Sequence, residues 1–323
     1  MSLKDISKVI LESNKIGIAF HASPDGDAIG STLALYNGLK ELGKDVYILS
    51  KEVVPDNLAF LPGSEEIDGD MPRTTYDTDL VIVLDCGNMD RICAKVDDFC
   101  GTLINIDHHV TNDMYGVINH IEPKSAATAE IVYLLLKELG YNFDSKEEIF
   151  QRIGTCIFTG IVTDTGCFRH SNVTKRTHTI AGELIECGVN NTKIYDDLFD
   201  NKPYEKVKLM GYALSKLELL VDNKVSFIEL SKELLDSVAL GNLDTSDIIS
   251  IALGIEGVEV AVVTKEVEDG VKASLRSKAD YDVRRVAEAL GGGGHIKASG
   301  LKLMHTSLDE AKYKIIKEIE KEM

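Results

Sequence analysis

Four segments of this 323-residue chain repeat one arrangement, a short apolar run followed at once by carboxylates, with histidines beside two of them. Residues 15–20 precede His21, Asp25 and Asp27; Leu80–Leu84 precedes Asp85; residues 103–106 precede Asp107, His108 and His109; and residues 157–163 precede Asp164. Carboxylates and imidazoles gathered at the ends of buried elements repel one another and lose hydration, so they are tolerated mainly where cations neutralise them. A fold for this chain must therefore bring several strand or helix ends to one place, and the first inference is a metal site.

Around these segments the sequence alternates strand and helix patterns, the signature of a mostly parallel sheet flanked by helices. Residues 15–20, Asp45–Leu49, Leu80–Leu84 and 103–106 read as strands. Residues 27–42 and 126–139 carry apolar residues at helical spacing and close on Gly43 and Gly140. Residues 146–162 and 175–187 read as two further helices, so the apolar run before Asp164 is strand-like only locally. Residues 190–216 are polar and then helical, as expected of a connector. Beyond it Val225–Leu230, 258–266 and 271–275 read as strands, the last two joined through Glu268, Asp269 and Gly270 as a hairpin turn. Residues 282–290 and Leu308–Glu322 read as helices. The expected fold class is α/β, with a domain over residues 1–190, a helical connector over 191–216, a smaller α/β domain over 217–323, and an active-site cleft between the two domains.

Composition narrows the functional classes. With 44% hydrophobic and 27% charged residues the chain can bury a sizeable core, and its apolar stretches are too short to cross a bilayer. The charged N-terminal stretch reads as an amphipathic helix and not as a secretory signal, so a cytoplasmic protein without a membrane partner is expected. Six cysteines without a CxxC pair argue against a zinc knuckle and fit reduced, buried thiols. A formal charge of −18 disfavours a long nucleic-acid track, which needs basic residues to release counterions, and leaves room for a small anionic substrate.

Each motif alone has a plain structural explanation. His21, Asp25 and Asp27, with Pro24 and Gly26 shaping the loop, also fit an N-cap cluster with a nearby histidine. Asp85 alone could cap the loop after its strand. The His108–His109 pair could be a surface feature, although adjacent side chains at a strand end point to opposite sides and suit different roles. Asp164 ends an apolar helix and needs a partner. The run Gly291, Gly292, Gly293 and Gly294 looks like a linker until His295, Lys297 and Ser299 are read with it, where glycine lets backbone amides approach an anion. Arg276 adds charge nearby or is a surface strand arginine. Arg91 and Arg169 are weaker phosphate candidates, and Lys175 and Arg176 read as solvated. Ser125 to Thr128 read as an ordinary helix start with a hydroxyl cap.

Taken together, HxxPDGDAIGS, the Asp85 segment, Asp107-His108-His109, TDTG around Asp164 and GGGGHxxASG resemble the DHH/DHHA1 phosphoesterase family in order and spacing over nearly the whole chain. Length and the lack of extra domains are most similar to its oligoribonuclease (nanoRNase) and pAp phosphatase branch, pAp being 3′-phosphoadenosine 5′-phosphate. The resemblance implies two divalent cations, manganese by preference: His21, Asp25 and Asp85 on one, and Asp27, Asp85, His108 and Asp164 on the other, with Asp85 bridging. Asp107 and His109 then lie behind the ligands or face the substrate, with His109 expected to contact the scissile phosphate or assist proton transfer. Gly292, Gly293, Gly294, His295, Lys297, Ser299 and Arg276, with Arg91 and Arg169, are the expected substrate contacts.

The expected activity is hydrolysis of short oligoribonucleotides to mononucleotides and of pAp to AMP. A phosphodiesterase of cyclic or linear dinucleotides needs the same centre and is the alternative. A non-catalytic nucleic-acid-binding module, similar to the C-terminal domain of alanyl-tRNA synthetase, fits the complete ligand set poorly. A RecJ-type exonuclease would carry an added domain and more basic charge, and a family II pyrophosphatase would lack the GGGGH loop. The sequence leaves the oligomeric state open, a homodimer included.

Overall fold

A computed structural model describes residues 1–237, 245–278 and 280–323; residues 238–244 and Ala279, which fall within the expected second domain, lie outside the described residues. The chain divides into two compact units, Met1–Asn201 and Lys202–Met323. The stretch 191–216, expected as a connector, is shared between them.

The first unit runs α1 (Leu3–Glu12), β1 (Lys15–Ala19), α2 (Gly26–Glu41), β2 (Asp45–Leu49), β3 (Leu80–Leu84), β4 (Thr102–Asp107), β5 (Ile118–Ile121), α3 (Thr128–Glu138), α4 (Glu148–Asp164), α5 (Lys175–Glu186) and the short α6 (Asn191–Tyr195). Its five strands are all parallel, in the order β2-β1-β3-β4-β5. Every residue of β3 is buried, which is why its sequence is apolar at each position instead of alternating. One sheet face, with Ile16, Ile18, Leu80, Ile82, Ile104 and Ile106, packs against the helices. The other, with Ala19, Val81, Val83 and Leu103, is covered by irregular chain around Cys86, Ile92 and Val96.

The run 157–163 before Asp164 lies inside α4, as the helical reading of residues 146–162 expects. One departure from the sequence reading concerns this unit. Strand β5 escaped notice because it is a half-buried edge strand without an apolar run, carrying Asn119 and His120.

The second unit holds α7 (Tyr204–Ser215), β6 (Glu218–Leu220), β7 (Val225–Leu230), α8 (Lys232–Ser237), α9 (Ser246–Leu253), β8 (Val260–Val267), β9 (Gly270–Ser277), α10 (Val283–Ala289), β10 (Gly293–His295), β11 (Ala298–Met304) and α11 (Leu308–Glu322). Its sheet is mixed, in the order β10-β11-β9-β8-β7-β6, with β7 and β8 parallel and the other neighbours antiparallel. Val267 pairs with Gly270, so the β8–β9 hairpin turns on Glu268 and Asp269 alone.

Candidate metal centre

In an open parallel sheet, side chains that follow the carboxyl ends of neighbouring strands converge outside the sheet edge. The strands β1, β3 and β4 are adjacent, and they deliver His21, Asp85 and the Asp107-His108-His109 run to one such edge. The fourth contribution comes from two helix ends: Asp27 in the first turn of α2 and Asp164 in the last residue of α4. Those helices approach closely because Gly160 faces α2, where an added Cβ would lie 2.8 Å from an Asp27 oxygen.

Asp85 occupies the centre. It follows β3 in the left-handed region, with φ +52°, a conformation that costs a non-glycine residue energy and is held here by a bond from its own N–H to the Ile106 carbonyl. Its two carboxylate oxygens face different histidines: Oδ2 lies 3.6 Å from His21 Nε2, and Oδ1 lies 3.6 Å from His108 Nε2. His21 Nε2 is also 3.8 Å from Asp25 Oδ1, and His108 Nε2 is 3.4 Å from Asp164 Oδ2 and 3.9 Å from Asp27 Oδ2. Two donors each about 2.1 Å from one ion lie about 3.0–3.4 Å apart at octahedral or tetrahedral angles, close to these separations.

The imidazoles are aimed from behind. His21 Nδ1 donates to the Ala22 carbonyl at 3.0 Å and His108 Nδ1 to the Ser125 carbonyl at 3.3 Å, which turns each Nε2 toward the carboxylates. His109 is held differently, its Nδ1 donating to Asp107 Oδ1 at 2.7 Å while the side chain stays 44% exposed. Asp107 is fully buried. Its oxygens also accept from the His108 and His109 amides and from Asn112 Nδ2. It therefore holds the His109 ring from behind.

The segment from Glu122 to Glu130 lies against the candidate centre, where sequence reasoning saw a plain helix start. No hydroxyl caps α3. The Asp27 carboxylate does so across the fold, accepting from Thr128 N at 2.6 Å and Ala129 N at 2.9 Å, while Thr128 Oγ1 donates to Asp85 Oδ1 at 3.0 Å. Arg176, expected in solvent, pairs with Glu122 at 2.6 Å and Glu130 at 3.2 Å. Burial opposes its charge, yet these two carboxylates raise its pKa above the ordinary value.

Electrostatics state the demand for positive charge. Burial, then Asp85, Asp164 and Asp25, push the Asp27 carboxyl well above the usual range. Burial and Asp85 raise Asp164 to about 6 despite His108. Burial works against charge on His21, but Asp25 and Asp85 outweigh it and raise that imidazole to about 10. Asp25 moves down, since His21 and the amides of Ala28 and Asp27 overcome its burial. Asp85 with His21 and Asp25, Asp27 with His108 and Asp164, and Asp85 with His108 and His109 each form a group whose donor atoms lie within 4.8 Å of one another. Mixed imidazole and carboxylate donors of this kind suit divalent manganese and its neighbours, so the residues fit the implied ions.

The remaining expected residues lie elsewhere. Arg91 and Arg169 are exposed on the first unit, and the Arg91 carbonyl accepts from Ala22 N at 2.6 Å. In the second unit the glycine run is a strand hairpin and not an open loop: Gly293 to His295 pair with Ala298 to Gly300. An added Cβ at Gly292 would lie 2.3 Å from the Gly300 carbonyl, and Gly294 sits at φ +142° against Ser299, whereas Gly293 faces open space. Ser299 is buried and its hydroxyl donates to the Val283 carbonyl at 2.8 Å, so that proton is already used. Arg276, half-buried on β9, pairs with Ala298 through its backbone, and His295 and Lys297 are exposed.

A parallel α/β unit with acids and imidazoles gathered at its carboxyl edge is the architecture of a metal-dependent hydrolase. Residues 15–161 match the DHH family, N-terminal domain, and residues 238–323 match the DHHA1 domain. A bifunctional oligoribonuclease and PAP phosphatase NrnA from Thermus thermophilus is 35% identical over 308 residues, covering 95% of this chain and 90% of its own. The protein of the same name from Bacillus subtilis is 30% identical over 294 residues, covering 90% of this chain and 89% of its own. The crystal structure of an exopolyphosphatase-related protein from Bacteroides fragilis superposes with a TM-score of 0.86 at 29% identity, covering 99% of this chain and 95% of that one. The chain belongs to the DHH/DHHA1 phosphoesterase family, whose members are metal-dependent hydrolases of phosphoester bonds. Among the described residues no helix is long and apolar enough to cross a membrane.

Proposed function

We propose that this protein hydrolyses short oligoribonucleotides to mononucleotides and removes the 3′-phosphate of pAp to leave AMP. His21, Asp25 and Asp85 would hold one divalent cation, and Asp27, Asp85, His108 and Asp164 a second, with manganese preferred. The observation that carries this reading is Asp85, a buried carboxylate in a strained backbone conformation with one oxygen toward His21 and the other toward His108. That disposition suits a bridging ligand between two ions. The relatives named as oligoribonuclease and PAP phosphatase support the choice of substrates.

When bound, such ions acidify a water and offset charge building on the phosphoryl oxygens. The chain's own groups do the rest. His109, fixed through Nδ1 by Asp107, keeps Nε2 available to the scissile phosphate and is suited to move a proton there. Asp107 sets the tautomer, since its carboxylate accepts the Nδ1 proton. In the second unit, the open face at Gly293, with Arg276, His295 and Lys297, is proposed to take the nucleotide end distant from the cleaved bond. A formal charge of −18 favours such short substrates over long strands.

The test is one assay of purified protein with Mn²⁺ against RNA of two to about twenty-four nucleotides, pAp, linear and cyclic dinucleotides, and pyrophosphate. Fast turnover of the shortest RNAs and of pAp supports the proposal. Preference for a cyclic dinucleotide moves the assignment to the dinucleotide phosphodiesterases, and binding of RNA without hydrolysis removes it.

A further inference from the structure

Arg176 sits in the first turn of α5, and its guanidinium reaches three points of one segment. Nη1 donates to Glu122 Oε1 at 2.6 Å, Nη2 to Ser125 Oγ at 2.6 Å, and Nε to Glu130 Oε2 at 3.2 Å. Glu130 and Ser125 are buried, and Glu130 Oε1 has no hydrogen-bond partner, so this arginine is the charge that balances Glu130. The three contacts bracket the residues that touch the metal centre: Ser125 O behind His108, Thr128 N and Ala129 N on Asp27, and Thr128 Oγ1 on Asp85. A second tie lies beside them, with Asn172 Nδ2 donating to the carbonyls of Ala126 and Asp164. Neither Arg176 nor Asn172 nor any residue of the segment 122–130 is a proposed ligand, yet each proposed ligand of the second ion rests on the segment or on Asn172.

We infer that Arg176 is a positioning residue for the metal centre: by clamping the Glu122–Glu130 segment it fixes His108, Asp27 and Asp85 in a ligand-ready arrangement. A planar fork with several fixed donors can hold three acceptors at once, which a lysine ammonium at the end of a flexible stem does not reproduce. Partners that orient ligands from behind typically govern metal affinity by about 10–100-fold. The inference rests on the proposed divalent centre, and its test separates the two.

Mn²⁺ binding to the full-length, metal-free protein is measured by calorimetry and by electron paramagnetic resonance for wild type, Arg176→Met, Arg176→Lys, Ser125→Ala and Tyr133→Phe. Tyr133 is the control, because its hydroxyl donates to Glu183, joining α3 to α5 without touching the segment. Arg176→Met is expected to weaken Mn²⁺ binding by about 10–100-fold, with Arg176→Lys recovering part of the loss. Ser125→Ala, which keeps both ion pairs and therefore the fold, should weaken it by a smaller factor. Tyr133→Phe should lower the melting temperature and leave Mn²⁺ affinity unchanged. If wild type binds no Mn²⁺, the divalent centre itself is refuted. If wild type binds it and Ser125→Ala and the folded Arg176 variants match wild type, or if Tyr133→Phe loses as much, the positioning role is overturned while the centre stands.

Discussion

Asp27 performs two tasks that one substitution separates. Its carboxylate caps α3 through Thr128 N and Ala129 N, and it stands 3.9 Å from His108 Nε2 among Asp25, Asp85 and Asp164. Asp27→Asn keeps the shape and one acceptor oxygen but turns an amide NH₂ toward one of the two N–H donors. Losing a charge-assisted bond there costs about 1.5–3 kcal/mol. Against that, the substitution removes a buried charge that burial and three like-charged neighbours disfavour, as its raised pKa records. The two effects oppose each other in the metal-free protein, so its melting temperature should move by only a few degrees. The effect of Mn²⁺ should change much more. A ligand at 100 times its dissociation constant stabilises the native state by about 2.7 kcal/mol per site. For a unit the size of Met1–Asn201, at about 2–4 °C per kcal/mol, that is about 5–11 °C.

Scanning calorimetry with and without Mn²⁺, beside a binding titration, checks this directly. Wild type should bind two ions per chain, and Asp27→Asn should bind one, with the metal-induced gain in melting temperature smaller by about 5–11 °C. Retention of two ions and of the full gain would refute Asp27 as a ligand. A metal-free variant that melts more than about 10 °C below wild type would refute the reasoning differently, by showing that the cap outweighs the relief of repulsion.

Three further outcomes are expected. His109→Ala should lower turnover of pAp by about 10²–10⁴ while Mn²⁺ stoichiometry is unchanged, and near-normal turnover in steady-state assays would reduce His109 to a structural role. The glycine hairpin divides cleanly: Gly293→Ala should leave the second unit's stability within about 0.5 kcal/mol of wild type in urea unfolding. Gly292→Ala and Gly294→Ala, which collide with β11, should cost about 1–3 kcal/mol, so equal effects at all three positions would contradict the hairpin. The Mn²⁺-induced gain in melting temperature should be larger at pH 8 than at pH 5. Asp164 is raised from 3.8 to about 6, so the native metal-free state holds an extra proton in that window and its stability falls as pH rises through it. A cation must displace that proton at low pH, and one from His21 as well, so a gain independent of pH between 5 and 8 would count against these ligands.

How far the sequence revealed this centre depends on whether the signal was local. Strand β3 announced itself because burial on both faces forces an apolar residue at every position, β1, β2 and β4 did so through shorter apolar runs, and the acids after β1, β3 and β4 stood out against that background. Helix ends were equally plain at Gly43 and Gly140, whose φ values of +73° and +97° suit glycine. Strand β5 was hidden because an edge strand needs no apolar run. The glycine run misled, since a hairpin held by β11 overrides glycine's poor strand propensity. Ser299 looked like a free donor because nothing in its neighbours names Val283 as its acceptor.

The deeper gap lies in pairings across the chain. Asp27 meets Thr128 and Ala129 from a hundred residues away, and Arg176 meets Glu122, Ser125 and Glu130 from another helix. A local pattern can mark Asp27 as an acid at a helix start, where capping its own helix is the cheapest explanation. Here Asp25 takes that task, accepting from Asp27 N and Ala28 N, and so releases Asp27 to cap α3. The spacing DGD therefore divides two duties between two carboxylates: one closes α2 and faces His21, and the other closes α3 and faces His108. Because each acid fastens a different helix while pointing at a different imidazole, the fold's own hydrogen bonds set the separation between the two proposed ion positions. A change in either cap should then be felt first in metal binding and only second in stability.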